Sequence, residues 1–125
     1  KQRKALALGR AHEKGNYRNF KKGQADEENQ LADSVSCEMD LYNNNIGSEI
    51  GVKNISLNKD SLKQLILNSI NQGDLKIILR NSDGNLLDCS GNVIDSTLFL
   101  QTWNIPKCLV PSDKSIHQHR KRNIK

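Results

Sequence analysis

The stretch that decides the fold is Asp26–Ile50, which reads DEENQLADSVSCEMDLYNNNIGSEI. Its apolar residues recur at steps of four and three, as they do on one face of an α-helix. They are Leu31, Val35, Met39, Tyr42, Ile46 and Ile50. The three acids at its start suit the positive end of a helix dipole, and Gly51 is the expected stop. The pattern predicts a helix over 26–50 with this face buried.

Two further helices and a hairpin are predicted around this central helix. The first helix is expected over 1–14 and is followed by a mobile loop over 15–25. The third helix runs from about 59–61 to 71, with Gly73 as its left-handed cap. The hairpin has a strand at 75–79, a turn at 82–85 and a second strand from 86. Pro106 and Pro111 are expected to exclude regular structure near the end. The sequence thus predicts one α+β domain, 1–113, with a helical N-terminal half, and a basic, disordered tail over 114–125. Because the chain starts inside a predicted helix, we expect it to be a piece of a larger protein.

Charge is segregated along the chain, whose net charge is +5. Residues 1–22 carry eight Lys or Arg and one acid, and 114–125 carry five Lys or Arg and no acid. The intervening residues 23–113 carry six Lys or Arg against thirteen acids. Basic ends of this kind bind phosphates, most often those of nucleic acid, although solvated helix faces and tails have the same composition. No apolar run reaches the roughly 18–20 residues of a membrane span, so no transmembrane segment is expected.

The three cysteines, Cys37, Cys89 and Cys108, leave at least one thiol unpaired. Their spacing matches no zinc or redox motif. The default expectation is three free, partly buried thiols in a protein that works in a reducing compartment. A single disulfide remains the alternative for a chain that passes through an oxidising space.

His12 and Glu13 are the first candidates for chemistry. Histidine is the commonest general acid or base, and a carboxylate beside it orients it or shares in proton transfer. Adjacent helical residues, however, point about 100° apart, and no second histidine follows at the spacing of a zinc protease. The competing interpretation is a solvated helix face.

The run of polar residues in the central helix is the second candidate. Helical periodicity places Asp40, Asn43 and Asn44 on a strip beside the apolar face. Consecutive asparagines are poor helix formers, because their side chains compete for backbone hydrogen bonds. Local costs of this kind tend to occur at functional sites. The competing interpretation is a polar network that ties this helix to the first one, with His12 bonded to Asp40 or Asn44.

Cations near both ends are predicted to hold the phosphates of a substrate. They are Arg10 and Lys14, and in the tail Arg120, Lys121 and Arg122. His117 and His119 would bind a metal only with partners from elsewhere, so the tail is interpreted as an electrostatic handle. Trp103 is expected to anchor a core or an interface. No metal ion and no other cofactor is predicted.

The same residues resemble a family of uncharacterised C-terminal toxin domains of bacterial Rhs-type and contact-dependent inhibition systems. Those domains read Ala-His-Glu, followed by Met-Asp-Leu-His-Asn-Asn-x-x-Gly-x-x-Ile-Gly. The matching residues are Ala11-His12-Glu13, Met39-Asp40-Leu41-Tyr42-Asn43-Asn44, Gly47 and Ile50-Gly51, with Tyr42 where the family often has histidine. The resemblance implies a secreted or cell-surface delivered toxin, acting in the cytoplasm of a target bacterium and neutralised by a cognate immunity protein.

Charge and resemblance together predict a metal-independent nuclease that acts on RNA, tRNA included. His12 is expected as general acid or base, Asp40 as its orienting partner or a second carboxylate alongside Glu13, and Asn43 or Asn44 as the group that positions the scissile bond. An acidic immunity protein is expected, because complementary charge most readily blocks a basic active face. Two alternatives stay open: an envelope hydrolase acting on lipid or peptidoglycan, and a non-enzymatic binding module whose asparagines form a packing network.

Overall fold

The computed structural model describes residues 1–23, 32–100 and 102–114. Its elements are α1 (Gln2–Lys21), α2 (Ser34–Lys53), α3 (Lys59–Gln72), β1 (Lys76–Ile78), a 3₁₀ helix (Ser96–Leu100) and β2 (Leu109–Pro111). Three helices precede a two-stranded antiparallel sheet, so the predicted α+β class with a helical N-terminal half is confirmed. Within the described residues, none of the helices has the length and apolar character needed to cross a membrane.

Helix α1 continues through most of the segment predicted as a mobile loop. Gly15 lies inside the helix, which ends only at Lys21. Tyr17 and Phe20 of this segment pack against Trp103. This tertiary contact outweighs the roughly 1 kcal/mol by which a glycine disfavours a helix. The end of the predicted loop, 24–25, lies outside the described residues.

Helix α2 differs from its prediction at both ends. The acids at 26–28 lie outside the described residues, and Asp33 is the N-cap, accepting hydrogen bonds from the backbone N–H groups of Val35 and Ser36 at 3.1 and 3.0 Å. Gly51 does not stop the helix, which continues to Lys53. Of the predicted apolar face, Val35, Met39, Ile46 and Ile50 are partly buried, whereas Tyr42 is 41% exposed. The buried residue of α2 is instead Cys37.

Helix α3 confirms its prediction closely. It begins after Asn58, whose Oδ1 accepts from the Ser61 N–H at 2.8 Å, and ends at Gly73 in the left-handed conformation, φ 85°. A Cβ at Gly73 would also lie 2.6 Å from an Asp113 carboxylate oxygen. Glycine is therefore required there both by the backbone conformation and by the lack of space.

The sheet pairs strands that are distant in sequence, so the predicted hairpin is only partly correct. The turn forms, with the Asn81 N–H donating to the Asn85 carbonyl at 3.0 Å, but residues 86–87 make only isolated bridges. The strand that pairs with β1 is β2, in the register Lys76↔Pro111, Ile77↔Val110 and Ile78↔Leu109.

Pro111 lies in β2, so the expectation that the prolines exclude regular structure near the end is wrong for this residue. It lies opposite Lys76, whose N–H and C=O face away from β2 and bond to the side chain of Asn43. Lys76 and Pro111 thus form a pair without mutual hydrogen bonds, and the missing proline N–H leaves no partner unsatisfied. The chain can therefore place a proline in this strand.

A disulfide joins Cys89 to Cys108, whereas Cys37 is a free, buried thiol. The default expectation of three free thiols is therefore wrong, and the arrangement is the alternative with one disulfide. Cys108 belongs to the small apolar core of the C-terminal half, together with the buried Ile94 and Ile105. The disulfide thus holds the loop around Cys89 to the segment that leads into β2.

Helices α1 and α2 lie side by side and antiparallel. Gln2 Nε2 donates to Ser48 Oγ at 3.3 Å near one end of the pair. In the middle, a Cβ added to Gly9 would lie 3.0 Å from Nδ2 of Asn44. Because sequence numbers rise along α1 as they fall along α2, the later residues of α1 meet the first turns of α2. The candidate site lies there.

Candidate functional site

An open groove of about 400 Å³ runs along one side of the α1–α2 pair. Four cations of α1 line it: Arg10, Lys14, Arg18 and Lys21. Their spacing of four, four and three residues places them on one side of the helix. The other lining residues, which are apolar, aromatic or acidic, are Glu13, Tyr17, Cys37, Leu41 and Trp103. We call this surface the basic groove.

The cations of the basic groove are exposed. None of them has a carboxylate within salt-bridge distance in the parts of the chain that the structure describes, where the one salt bridge joins Lys107 to Asp33. Lys21 instead places its Nζ 4.8 Å from the centroid of the Tyr17 ring, in a cation–π contact. The groove therefore has positive charge available for an anionic ligand.

Trp103 closes one end of the basic groove against α1. Its ring centroid lies 4.9 Å from that of Tyr17, at an interplanar angle of 65°, and 5.2 Å from that of Phe20. Its carbonyl accepts from the Ser34 N–H at 2.8 Å, which fixes the segment to the start of α2. This position agrees with the anchoring role expected from the sequence.

A second contact near Trp103 holds the C-terminal segment to α2. Lys107 forms an ion pair with Asp33, the N-cap of α2, and donates to Ser36 Oγ at 3.2 Å. The Asp33 side chain is 1% exposed and that of Lys107 is 12% exposed. Because a buried charge is stable only when it is paired and hydrogen-bonded, this contact fixes the position of the chain that carries Trp103.

Glu13 is the one carboxylate among the described residues that line the basic groove, and it is 7% exposed. Asn16 Nδ2 donates to its Oε2 at 3.2 Å. Glu13 also acts on the thiol of Cys37. Burial, followed by hydrogen bonding and charge from Glu13, raises the pKa of Cys37 well above its usual range. Cys37 is therefore a protonated donor to Glu13 at neutral pH, and not a thiolate nucleophile.

His12 and Asp40 are separate from the lining of the basic groove. Two helical steps turn His12 about 160° away from Lys14. Both side chains are exposed. Burial of part of its surface, followed by the charge of Glu13, raises the pKa of Asp40, while the charge of His12 opposes this rise. Asp40 is thus close enough to feel the charges of both residues.

Asn43 and Asn44 make packing contacts. The Asn43 amide bonds to both backbone groups of Lys76, donating to O at 2.9 Å and accepting from N at 2.8 Å. Asn44 lies against Gly9 of α1, where a larger residue would meet its amide. Asn43 therefore holds α2 to β1, and Asn44 lies beside Gly9 of α1, whereas the competing interpretation placed a polar network between α2 and α1.

The structure thus divides the predicted site residues into two groups. Arg10, Glu13 and Lys14 come together in the basic groove, whereas the predicted catalytic residues His12, Asp40, Asn43 and Asn44 lie outside it. The tail residues His117, His119, Arg120, Lys121 and Arg122 lie outside the described residues. Within the described residues no cluster of three or more His, Cys, Asp or Glu side chains could hold a metal ion.

Sequence reasoning missed several residues of the basic groove, namely Tyr17, Arg18, Lys21, Leu41 and Trp103 in its lining. The spacing of the cations from Arg10 to Lys21 carries a helical signal that could have identified them. Gly15 concealed this signal, because the predicted helix ended before it. No sequence signal brings Trp103 to α1, since this contact joins distant parts of the chain.

Comparison with known proteins gives one match. Residues 1–74 match the model of a protein family described as "Domain of unknown function (DUF6973)". The match spans more than half of the chain and covers all three helices, including every residue of the basic groove except Trp103. No curated protein and no solved structure matches the chain.

Proposed function

The chain belongs to this family, DUF6973, and we propose that its domain binds RNA in the basic groove and cleaves it there. The observation that carries the proposal is the groove itself, where four exposed cations without carboxylate partners among the described residues lie beside aromatic side chains and one carboxylate. Cations bind the phosphates of a nucleic acid, and aromatic rings bind its bases. This combination favours a nucleic acid over an anionic surface without bases.

The spacing of the cations supports binding of a phosphate chain. Arg10, Lys14 and Arg18 are four residues apart, and successive Cα atoms at this spacing lie about 6 Å apart along the helix axis. An extended RNA strand running along α1 would therefore meet a cation at each phosphate. Lys21 continues the row by one further turn.

Glu13 is the residue that we assign to the chemistry. The 2′-oxygen of the substrate attacks phosphorus, the bond from phosphorus to the 5′-oxygen breaks, and a cyclic phosphate and a 5′-hydroxyl result. Glu13 takes the proton of the 2′-hydroxyl, and Lys14 returns a proton to the departing 5′-oxygen. Arg10 and Arg18, which cannot act as bases, stabilise the negative charge that develops on the phosphate oxygens.

His12 and Asp40 act on Glu13 through charge in this proposal and do not touch the substrate. Asp40 is coupled electrostatically to both His12 and Glu13. The charge of Glu13 raises the pKa of Asp40, and the charge of His12 opposes this rise. They are positioning residues in this proposal, in place of the direct acid–base role expected from the sequence.

Delivery as a bacterial toxin is the biological setting that we propose for this activity. Its support is the resemblance at Ala11-His12-Glu13 and Met39 to Asn44. The disulfide between Cys89 and Cys108 also supports it, because disulfides persist in chains that pass through oxidising spaces. The domain would then act in the cytoplasm of a target cell. An immunity protein with an acidic face would inhibit it by covering the basic groove.

A non-enzymatic RNA-binding module is the second candidate function. The packing contacts of Asn43 and Asn44 favour it, because they remove the asparagines from the catalytic role expected from the sequence. The position of His12 outside the basic groove favours it as well. This candidate shares the RNA-binding surface and differs in that Glu13 and Lys14 transfer no protons.

The experiment that tests the proposal compares RNA cleavage by the purified, oxidised wild-type domain and by Glu13→Gln. Glutamine keeps the shape of the side chain and an acceptor oxygen for Cys37 and Asn16, so the fold should persist. The wild type should release fragments ending in cyclic phosphate, and Glu13→Gln should bind RNA without cleaving it. The matched control is Glu38→Gln, which removes an exposed carboxylate of α2 and should cleave normally.

Three outcomes contradict the proposal, each in a different way. RNA binding without cleavage by the wild type indicates the binding module. Cleavage that survives in Glu13→Gln excludes Glu13 as the catalytic group. Binding to vesicles of anionic lipid, with none to RNA, indicates the envelope alternative.

A further inference from the structure

We infer that the basic groove takes single-stranded RNA and not a duplex, with one base stacked against the aromatic pair Tyr17 and Trp103. This inference rests on the RNA binding of the proposed function, but not on cleavage. It is drawn from the geometry of the pair, the size of the groove and the order of the cations along α1.

The aromatic pair forms a corner in the groove. The Tyr17 and Trp103 rings meet at 65°, with centroids 4.9 Å apart, so neither ring covers the other as it would in a flat stack. Tyr17 is 42% exposed, and Trp103 is half-buried. Both rings line the groove. Lys21 Nζ lies over the Tyr17 ring, so the aromatic surface available to a ligand with a flat apolar face is the part of Tyr17 and Trp103 that this ammonium group leaves open.

The groove has the size of a small-molecule site. Its volume of about 400 Å³ lies toward the low end of the range of small-molecule sites. Leu41 and Cys37 supply apolar wall beside the aromatic corner. In a duplex each base is paired and covered by its neighbours, so it cannot present a face to a side chain. Only an unpaired base can enter.

The cations lie on both sides of the aromatic corner along the helix. Lys14 precedes Tyr17 by one turn, and Lys21 follows it by one turn. The strand on either side of a base stacked at Tyr17 and Trp103 would therefore pass Lys14 in one direction and Lys21 in the other. Backbone-tracking cations interleaved with stacking aromatics are the usual arrangement of surfaces that bind single strands.

Trp103 provides the readout, because it is the one tryptophan of the chain. Its fluorescence is followed while the wild-type protein is titrated with a short 2′-O-methyl oligonucleotide, which has no free 2′-hydroxyl and cannot be cleaved. A hairpin duplex of the same chemistry and inorganic polyphosphate are the comparison probes. The single strand should quench Trp103 and bind at least about five-fold more tightly than the duplex, and polyphosphate should bind without quenching.

Substitutions then assign the binding to the aromatic corner. Trp103→Leu should weaken binding of the single strand between about five-fold and about 150-fold, while its affinity for polyphosphate stays the same. Trp103→Phe keeps an aromatic ring against Phe20 and should lose less affinity for the single strand than Trp103→Leu does. The matched control, Lys4→Gln, lies on α1 outside the groove and should bind as the wild type does.

Equal affinity of the wild type for the single strand and the duplex would overturn the inference. Binding of the single strand to the wild type without quenching of Trp103 fluorescence would overturn it as well. These wild-type results are decisive even if Trp103→Leu fails to fold. Because the probe cannot be cleaved, the outcome is independent of catalysis. A wild type that quenches with the strand but leaves natural RNA intact would retain this inference and refute the proposed cleavage.

Discussion

Asn43 of α2 bonds to both backbone groups of Lys76 in β1, donating to its carbonyl at 2.9 Å and accepting from its N–H at 2.8 Å. One side chain in the middle of a helix thus replaces a neighbouring strand along the free edge of β1. The low helix propensity of asparagine is offset by this pairing. The contact also explains why a proline can lie opposite Lys76 in β2.

Asn43→Ala should lower the free energy of unfolding by about 1–3 kcal/mol, because it leaves two partly buried backbone groups without partners. The measurement is urea denaturation. The control is Asn45→Ala, which removes only an exposed contact with Glu49 in the same helix, and it should change stability by less than about 0.5 kcal/mol. Equal destabilisation by both substitutions would contradict the role of Asn43.

Asp40→Asn should stabilise the protein slightly at neutral pH, by a fraction of ~1 kcal/mol, because solvent screens an exposed group. The pKa of Asp40 is raised in the folded state, first by burial and then by Glu13, so its ionisation is less favourable there than in the unfolded chain. The native protein therefore gains stability relative to the unfolded chain as the pH falls through the raised pKa.

The pH dependence of the Asp40→Asn effect is the sharper test. The difference between variant and wild type should be present at neutral pH and vanish below about pH 4, where Asp40 is protonated in both states. Thermal denaturation at a series of pH values measures it. Glu38→Gln, in the same helix, controls for the removal of one negative charge. A pH-independent difference would show that charge is not its cause.

Reduction of the disulfide between Cys89 and Cys108 should destabilise the protein by about 3 kcal/mol, as expected for a closed loop of this length. Thermal unfolding with and without reductant measures the effect. A Cys37→Ala variant should respond to reductant as the wild type does, because Cys37 is free. If reductant does not change the thermal unfolding of the wild type, a structural role of the disulfide is contradicted.

The Cys37 thiol should resist alkylation by iodoacetamide at neutral pH while the protein is folded. Its pKa is raised by burial and, next, by the hydrogen bond to Glu13. Glu13→Gln removes the negative charge, so it should lower the pKa of Cys37 and speed alkylation several-fold. Mass spectrometry of the oxidised protein follows this thiol alone. A rate unchanged by the substitution would show that Glu13 does not act on Cys37.

Local signals predicted the parts of the fold that depend on neighbouring residues. The end of α3 at Gly73 and the turn at 82–85 were predictable because capping and turn chemistry act within a few residues. The length of α1 was not, because the packing of Tyr17 and Phe20 on Trp103 decides it. The pairing of β1 with β2 was not predictable either, because it joins strands that are distant in the sequence.

The candidate site was predictable only in part. The sequence pointed to Arg10, Glu13 and Lys14, which the basic groove brings together. It also grouped His12 with Glu13, although consecutive helical residues diverge by about 100° and only Glu13 lines the basic groove. Which side of a helix faces its neighbour is a tertiary property, and the sequence of one helix does not contain it.

RNA binding by Lys14→Gln and Lys4→Gln tests most directly whether the basic groove is the functional surface. Both substitutions remove one exposed charge from α1, but only Lys14 lines the groove. Affinity for a short single-stranded RNA is measured over a range of salt concentrations. We expect Lys14→Gln to weaken binding and to reduce the salt slope by about 0.7, the value of one phosphate contact in a single strand, and Lys4→Gln to change neither. Equal losses in both variants would show that the positive charge of α1 as a whole binds RNA, and would contradict a specific groove.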